Sequence, residues 1–135
     1  MDTQIITASS GTQPYAVTLS DGAGHQWTAD EPLASGGGDT AATPTQLLLS
    51  SLGACTVITL QMYAARKQWP LTGIDVQLHY TPNEAGVSGT GINRQITLHG
   101  ALSAEQNARL LQVANACPVH KILTGAVNVA TAITA

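Results

Sequence analysis

The chain has 135 residues, of which 44% are hydrophobic and 10% are charged, and its formal net charge is -3 with no cluster of Lys or Arg. Nucleic acids and anionic membranes are bound by concentrated basic side chains, so neither is an expected partner. One sizeable core can form in a chain of this length, and we expect a single domain over residues 1–135. With so few charges, the surface either takes its polarity from Thr and Ser or is partly covered in an oligomer.

The N-terminal region lacks the basic segment that opens a secretory signal, because the first Lys or Arg is Arg66. We therefore expect a cytoplasmic protein. In that compartment thiols stay reduced, which disfavours a purely structural disulfide between the two cysteines, Cys55 and Cys117. A role for either cysteine as a small buried hydrophobic side chain stays open.

Residues 13–30 predict a β-hairpin, since apolar side chains alternate with small or polar ones on both sides of a Gly-containing turn at 21–24. A loop rich in Gly and Pro follows. Thr43, Pro44 and Gln46 then give a helix start, with a cap residue, a proline at the first helical position and a glutamine that completes a capping box. The helix is expected to end near residue 68, before Pro70.

This long helix is apolar nearly all round, which is typical of a core helix or a membrane helix. Its Ser, Thr and Gln side chains, and the strands predicted on both sides of it, favour the core helix. We expect no membrane span.

The second half predicts two strands and two helices. Alternating side chains indicate strands over 74–80 and 95–99, with a turn over 86–91. A capping box at Ser103 starts a helix, and Pro118 starts a short one that ends at Gly125. Alternation over 127–133 predicts a closing strand. The fold class is α+β, with a long buried central helix packed against antiparallel sheet.

The two cysteines lie in contrasting places. Cys117 precedes Pro118 and is therefore expected at the N-cap of the short helix, where backbone N–H groups and the helix dipole favour a thiolate. Cys55 lies in the long helix among small residues that allow a close approach or a narrow pocket. If both thiols face one pocket, one can attack an oxidant and the other can trap the sulfenic acid as a disulfide.

The stretches "TPTQLLLSSLGACTVITLQMYAARK" and "ACPVHKIL" resemble the OsmC/Ohr family of thiol-dependent peroxide-resistance proteins. That family has one Cys in a long buried helix and a second in a Cys-Pro dipeptide. The likeness also covers "DEPLASGGGD" and "LHGALSAEQNARLLQVANACPVH", so it spans most of residues 28–125.

This resemblance implies an intertwined α+β homodimer with active sites at the subunit interface. It implies that Cys55 attacks an organic hydroperoxide and that Cys117 resolves the sulfenic acid, after which a dithiol or another thiol donor reduces the disulfide. No cofactor and no metal is implied. Cys55, Cys117 and His120 would in any case supply three zinc ligands at most, whereas a structural site needs four.

The sequence departs from the family where the thiolate is activated. Well-characterised members place a Glu near the start of the long helix and an Arg from the N-terminal region beside the reactive Cys. Here the matching helix positions hold Thr45 and Gln46, and no Arg precedes Arg66.

Substitutes for this pair are the acidic residues Asp30, Glu31 and Asp39 of the preceding loop, with Glu31 as the first choice. Gln46 and His120 are further candidates as activating or pocket residues. An Arg66, Arg94 or Arg109 from a twofold-related copy is a further possibility. The missing pair also keeps open a non-enzymatic member that binds a small apolar ligand or senses oxidation. A structural Cys55–Cys117 bridge is a third, less favoured interpretation.

Overall fold

A computed structural model of the chain describes residues 5–82 and 90–134. The residues up to Leu48 form one compact unit and those from Leu49 form a second. Each unit has its own antiparallel sheet, so the α+β class is confirmed.

The first unit contains a three-stranded antiparallel sheet in the order β1-β2-β3. Its strands are β1 (Thr7–Ser10), β2 (Val17–Ser20) and β3 (Gln26–Ala29). The predicted hairpin is formed by β2 and β3, with Leu19 opposite Trp27. Strand β1 was not predicted, because its short stretch of Thr, Ala and Ser carries no apolar alternation.

A loop stabilised by one buried carboxylate follows β3. Asp30 is 2% exposed, and its two oxygens accept hydrogen bonds from the backbone N–H groups of Glu31, Gly38 and Thr40 and from the Thr40 hydroxyl. These bonds, led by that of the Thr40 hydroxyl, lower the pKa of Asp30 to about 2. Gly37 lies against the backbone of Glu31, where a Cβ atom would clash with the Glu31 carbonyl. The Asp30 carboxylate thus stabilises a turn of the chain in which position 37 has no room for a side chain larger than that of glycine.

The long helix α1 (Pro44–Lys67) begins and ends close to the predicted positions. Its start has the predicted capping box, since the Gln46 N–H donates to the Thr43 hydroxyl and the Thr43 N–H donates to the Gln46 side chain. By length and composition α1 could cross a membrane, a test that core helices of water-soluble proteins also pass.

In the second unit α1 buries one stripe only, formed by Leu52, Gly53, Thr56, Leu60 and Ala64. The all-round apolar character therefore does not mean all-round burial within one chain. A single sheet covers one face of a helix, and Ile58 and Met62 on the uncovered face are 50% and 61% exposed.

The sheet that covers α1 consists of strands β4 (Leu71–Thr81) and β5 (Gly91–Gly100), paired antiparallel. Both extend beyond the predicted strands. Gly53 allows α1 to approach this sheet closely, because a Cβ atom there would lie 2.9 Å from Cδ1 of Leu78. The predicted turn over 86–91 falls largely in residues 83–89, outside the described residues.

Two shorter helices complete the second unit, α2 (Ala104–Ala114) and α3 (Pro118–Thr124). The predicted capping box at Ser103 is present. Leu110, Val113 and Ala114 of α2 pack with Leu60 of α1 to form the core. Partly buried side chains surround this cluster, namely Tyr63, Trp69, Ile74, Ile96, Leu98 and Leu102.

The predicted closing strand over 127–133 was wrong for the isolated chain, because these residues have no regular secondary structure. Their apolar side chains are open to solvent, with Val127, Val129 and Ile133 at 59%, 82% and 93% exposure. Alternation favours a strand only where another strand offers its backbone for pairing.

We predict that Asp30→Asn lowers the urea midpoint of unfolding at pH 7, because an amide NH₂ would face N–H or hydroxyl donors in place of a carboxylate oxygen. The folded-state pKa of Asp30 is depressed, so its contribution is complete above about 4 and is lost as the pH falls towards 2. The difference from wild type should therefore shrink over that range.

The matched control for this measurement is Asp39→Asn, which removes the same charge from an exposed position in the same loop. It should leave the midpoint close to that of wild type. Equal midpoints for the two variants at pH 7 would contradict the role given to Asp30.

Candidate active site

The two cysteines lie close together in the second unit as free thiols. Cys55 on α1 is half-buried, whereas Cys117, just before α3, is fully buried. The thiol of Cys55 is near enough to that of Cys117 to affect its ionisation. Two sulfur atoms are thus brought together from positions 62 residues apart in the sequence.

Cys117 is the N-cap of α3, as predicted. Its Sγ accepts a hydrogen bond of 3.2 Å from the backbone N–H of His120, and Pro118 occupies the first turn. Proline is suited to this position because its fixed φ angle is helical and no N–H is wasted there. The cap therefore fixes the direction in which the sulfur points.

The pKa of Cys117 is raised, which is opposite to the direction that its helix cap favours. Burial is the largest cause, because it disfavours the charged thiolate, and the neighbouring Cys55 thiol raises the pKa further. The His120 N–H and the charge of Arg94 act in the other direction. Cys117 is accordingly held as a neutral thiol in the resting protein.

Cys55 lines an apolar cavity of about 560 Å³. The other lining residues are Ile58, Thr59, Met62, Tyr63, Arg66, Val113 and Pro118. This volume lies within the range of about 300–1,000 Å³ that is typical of small-molecule sites. A ligand in the cavity meets the sulfur of Cys55, while Cys117 is not among the lining residues.

One end of the cavity wall is cationic. Arg66 lines the cavity eleven residues beyond Cys55 on the same helix, which corresponds to about 16 Å along the axis. Arg109 donates a hydrogen bond of 2.9 Å from Nε to the Tyr63 hydroxyl, and this bond is the main cause of a lowered pKa for Tyr63. Within one chain neither arginine is placed at the cysteines.

Arg94 is the cation of the thiol site, and it reaches the site within the same chain. Its Nη1 donates to the Thr56 hydroxyl at 3.1 Å and to the Ala114 carbonyl at 3.5 Å. Its Nη2 donates to Oδ1 of Asn115 at 2.8 Å and lies 3.3 Å from Nδ1 of His120.

Sequence reasoning missed this arrangement, because it considered Arg94 only as a residue supplied by a second copy. The signal was present in the alternation of β5. Counting back by two from Ile96 places Arg94 on the inward face, with Asn93 and Gln95 exposed.

The structure places the other predicted residues differently. His120 lies beside both Cys117 and Arg94, and its role as an activating or pocket residue stays a prediction. Gln46 completes the capping box of α1. Glu31 is in the loop of the first unit, where its carbonyl accepts a hydrogen bond from the Asp39 N–H. Activation of Cys55 by Glu31 or Gln46 stays a prediction.

In the two described stretches of the chain, no three side chains of His, Cys, Asp or Glu converge on one point.

Several solved structures are similar in fold. An OsmC-like protein from Mycoplasma pneumoniae is 24% identical with a TM-score of 0.77, covering 92% of this chain and 89% of its own. The organic hydroperoxide resistance protein OhrB of Bacillus subtilis is 24% identical with a TM-score of 0.62, covering 92% of both chains.

A third similar structure is the organic hydroperoxide resistance protein OsmC from Legionella pneumophila, which is 20% identical with a TM-score of 0.67. The likeness covers 93% of this chain and 91% of that protein. No curated protein sequence matches the chain significantly.

The sequence profile of OsmC-like proteins matches residues 36–132, which include α1, both cysteines and all the residues that contact Arg94. This match covers well over half of the chain. The protein belongs to the OsmC-like family.

Proposed function

We propose that the protein is a thiol-dependent peroxidase that reduces organic hydroperoxides. Membership of the OsmC-like family supports a redox or peroxide-related role, and structural neighbours include organic hydroperoxide resistance proteins. The observation that carries the proposal is the unequal exposure of two adjacent thiols. Cys55 opens into an apolar cavity, and Cys117 is buried beside it.

Cys55 carries out the first chemical step, because it lines the cavity whereas Cys117 is buried. The Cys55 thiolate attacks the terminal oxygen of the hydroperoxide, an S–O bond forms, the O–O bond breaks and the alcohol leaves after taking up a proton. The apolar wall formed by Ile58, Met62 and Val113 favours hydroperoxides with hydrocarbon groups over hydrogen peroxide.

The second step belongs to Cys117. Its sulfur attacks the sulfenic acid of Cys55, so that a disulfide forms and water leaves. A dithiol or other thiol donor then restores both thiols by exchange and is itself oxidised. The substrate, the reductant and the two cysteines suffice for this cycle, which needs no cofactor.

We also propose that the working form is a cytoplasmic homodimer. The uncovered face of α1 exposes Ile58 and Met62, which also line the cavity, and Val129 and Ile133 are exposed nearer the C-terminus. Burial of such side chains is favourable by about 25 cal/mol for each square ångström. A second copy seated on this face would close the cavity, which accords with active sites at a subunit interface.

A non-enzymatic role is the second candidate, and the apolar cavity favours it because a small apolar ligand would fit there without any reaction. Mass spectrometry of the wild-type protein after a limited dose of cumene hydroperoxide separates the two functions. Both thiols unmodified would support ligand binding, whereas a sulfenic acid or a disulfide supports the peroxidase.

We predict that Cys55→Ser lowers the rate of cumene hydroperoxide consumption at least about a hundredfold, because the attacking sulfur is lost. The decay of hydroperoxide in the presence of dihydrolipoamide measures this rate. Wild-type turnover by the variant would contradict the assignment of Cys55. Far-ultraviolet circular dichroism serves as the control for folding.

We predict a different result for Cys117→Ser. This variant should consume about one equivalent of hydroperoxide in a fast single turnover and then hold Cys55 as a sulfenic acid, because the resolving thiol is absent. Labelling with dimedone followed by mass spectrometry detects that species. A variant that does not accumulate the sulfenic acid of Cys55 would be incompatible with Cys117 as the resolving residue.

We predict that Met62→Glu weakens self-association, because the new charge would lie on the uncovered face of α1. Light scattering after size-exclusion chromatography should give twice the chain mass for wild type and a smaller average mass for the variant. Gln77→Glu adds the same charge at an exposed position of β4 and serves as the control. A wild-type protein that stays monomeric at micromolar concentration would refute the homodimer.

A further inference from the structure

The guanidinium of Arg94 joins all three helices that surround the thiols. It contacts Thr56, the residue next to Cys55 on α1, and the C-terminal end of α2 at Ala114 and Asn115. It also contacts His120 on α3, whose backbone N–H caps the sulfur of Cys117. One side chain from the sheet therefore contacts both cysteine-bearing segments.

The orientation of His120 follows from this contact. An arginine side chain has donors only, so Nδ1 of His120 must accept the hydrogen bond from Nη2 and the ring proton lies on Nε2. The Thr56 hydroxyl has a matching arrangement, because it donates to the Leu52 carbonyl at 2.7 Å and accepts from Arg94. The Thr56 hydroxyl and the His120 ring thus both accept hydrogen bonds from the Arg94 guanidinium.

The charge of Arg94 has no carboxylate partner in the described part of the chain. The two ion pairs found there join Asp21 to His25 and Asp75 to His99. The Arg94 side chain is half-buried, and a guanidinium in a protein stays protonated. Such a cation favours an anion that forms beside it, and its charge lowers the pKa of the Cys117 thiol.

We propose that Arg94 is the positioning residue of the thiol pair, holding Cys117 on its helix cap beside Cys55 and supplying the positive charge that favours the Cys117 thiolate during disulfide formation. This inference rests on the peroxidase function proposed above. It assigns to a residue of β5, within the same chain, a task that the expected Arg from the N-terminal region cannot perform because it is absent.

The step that depends on Arg94 is the resolution of the sulfenic acid. The Cys117 thiolate attacks the sulfur of Cys55, the S–S bond forms and the S–O bond breaks. Hydroxide leaves and takes up the proton that Cys117 released, so that the product is water. The sulfur of Cys117 is oxidised and that of Cys55 is reduced. Burial and the neighbouring Cys55 thiol oppose the ionisation of Cys117, whereas Arg94 and the His120 N–H favour it.

The test measures the ionisation of Cys117 directly and needs no peroxidase activity. In a Cys55→Ser background, the rate of alkylation of Cys117 by iodoacetamide is followed from pH 6 to 10. Adding Arg94→Gln should move the midpoint to higher pH and slow alkylation below it about three- to tenfold. Arg94→Lys keeps the charge and should move the midpoint less. A purely structural role for Arg94 predicts equal midpoints for these two variants.

Two further variants provide controls in the same background. Arg109→Gln removes an identical charge from the Tyr63 region and should leave the midpoint unchanged. Asn115→Ala removes the shortest hydrogen bond to Arg94 but keeps its charge, so it separates placement from electrostatics. Thermal unfolding shows whether each protein is folded. If Arg94→Gln fails to fold, Arg94→Met, which also lacks the charge, takes its place, and a midpoint equal to that of the parent would overturn the proposal.

A second measurement uses the protein with both cysteines. After a single dose of cumene hydroperoxide, Arg94→Gln should form sulfenic acid at nearly the wild-type rate and the disulfide several-fold more slowly. Equal rates of disulfide formation would overturn the proposal while leaving the peroxidase intact. If wild type forms no sulfenic acid, the peroxidase function fails, and the alkylation midpoints still decide whether Arg94 favours the Cys117 thiolate.

Discussion

A guanidinium that is always protonated must be satisfied by hydrogen bonds wherever the fold buries it, and in this protein the arrangement of the site depends on that requirement. Strand β5 places Arg94 beside α1, where the Thr56 hydroxyl, the Ala114 carbonyl and the Asn115 side chain accept its hydrogen bonds. Gly53 makes this possible, because it lets the helix approach the sheet at Leu78, the residue opposite Arg94 across the two strands. Arg94 and Gly53 thus both contribute to the contact between α1 and the sheet.

The different exposure of the two thiols follows from the elements that carry them. Cys55 lies on α1 next to the buried Thr56, is half-buried and lines the cavity. Cys117 caps α3 and has no exposed surface. Burial disfavours the charged form of the Cys117 thiol and raises its pKa.

The sequence predicts well the features that depend on neighbouring residues. The bounds of α1 follow from Thr43, Gln46 and Pro70, which act within one turn of the helix ends. The cap at Cys117 is equally local, because Pro118 marks it. The strands could be located but not their full length, since pairing with a partner strand extends β4 and β5 beyond the apolar alternation.

Features that depend on distant residues escaped prediction. The pKa of Cys117 is raised mainly by burial, which outweighs the local effect of the helix cap. Arg94 was considered only as one of three arginines that a second copy could supply, because the predicted strand began at residue 95, although the alternation of β5 places Arg94 on the inward face. The closing strand was predicted from the alternation of Val127, Val129 and Ile133. Alternation alone does not show whether a partner strand is available for these residues to pair with.

The fold offers an explanation for the low content of charged residues. Only 10% of the residues are charged, and α1 presents apolar side chains on the face that the sheet leaves open. If that face stayed in water, Ile58 and Met62 would gain nothing from the hydrophobic effect, and the cavity beside Cys55 would be filled with solvent.

In the proposed homodimer, covering this face would serve stability and chemistry together, because it would bury these side chains and enclose the cavity beside Cys55. In the proposed peroxidase, an enclosed cavity would exclude water from the peroxide bond, while Arg94 would supply positive charge from within the same chain. The apolar helix α1, whose length and composition also fit a membrane span, would then form the wall of a site for hydrophobic substrates.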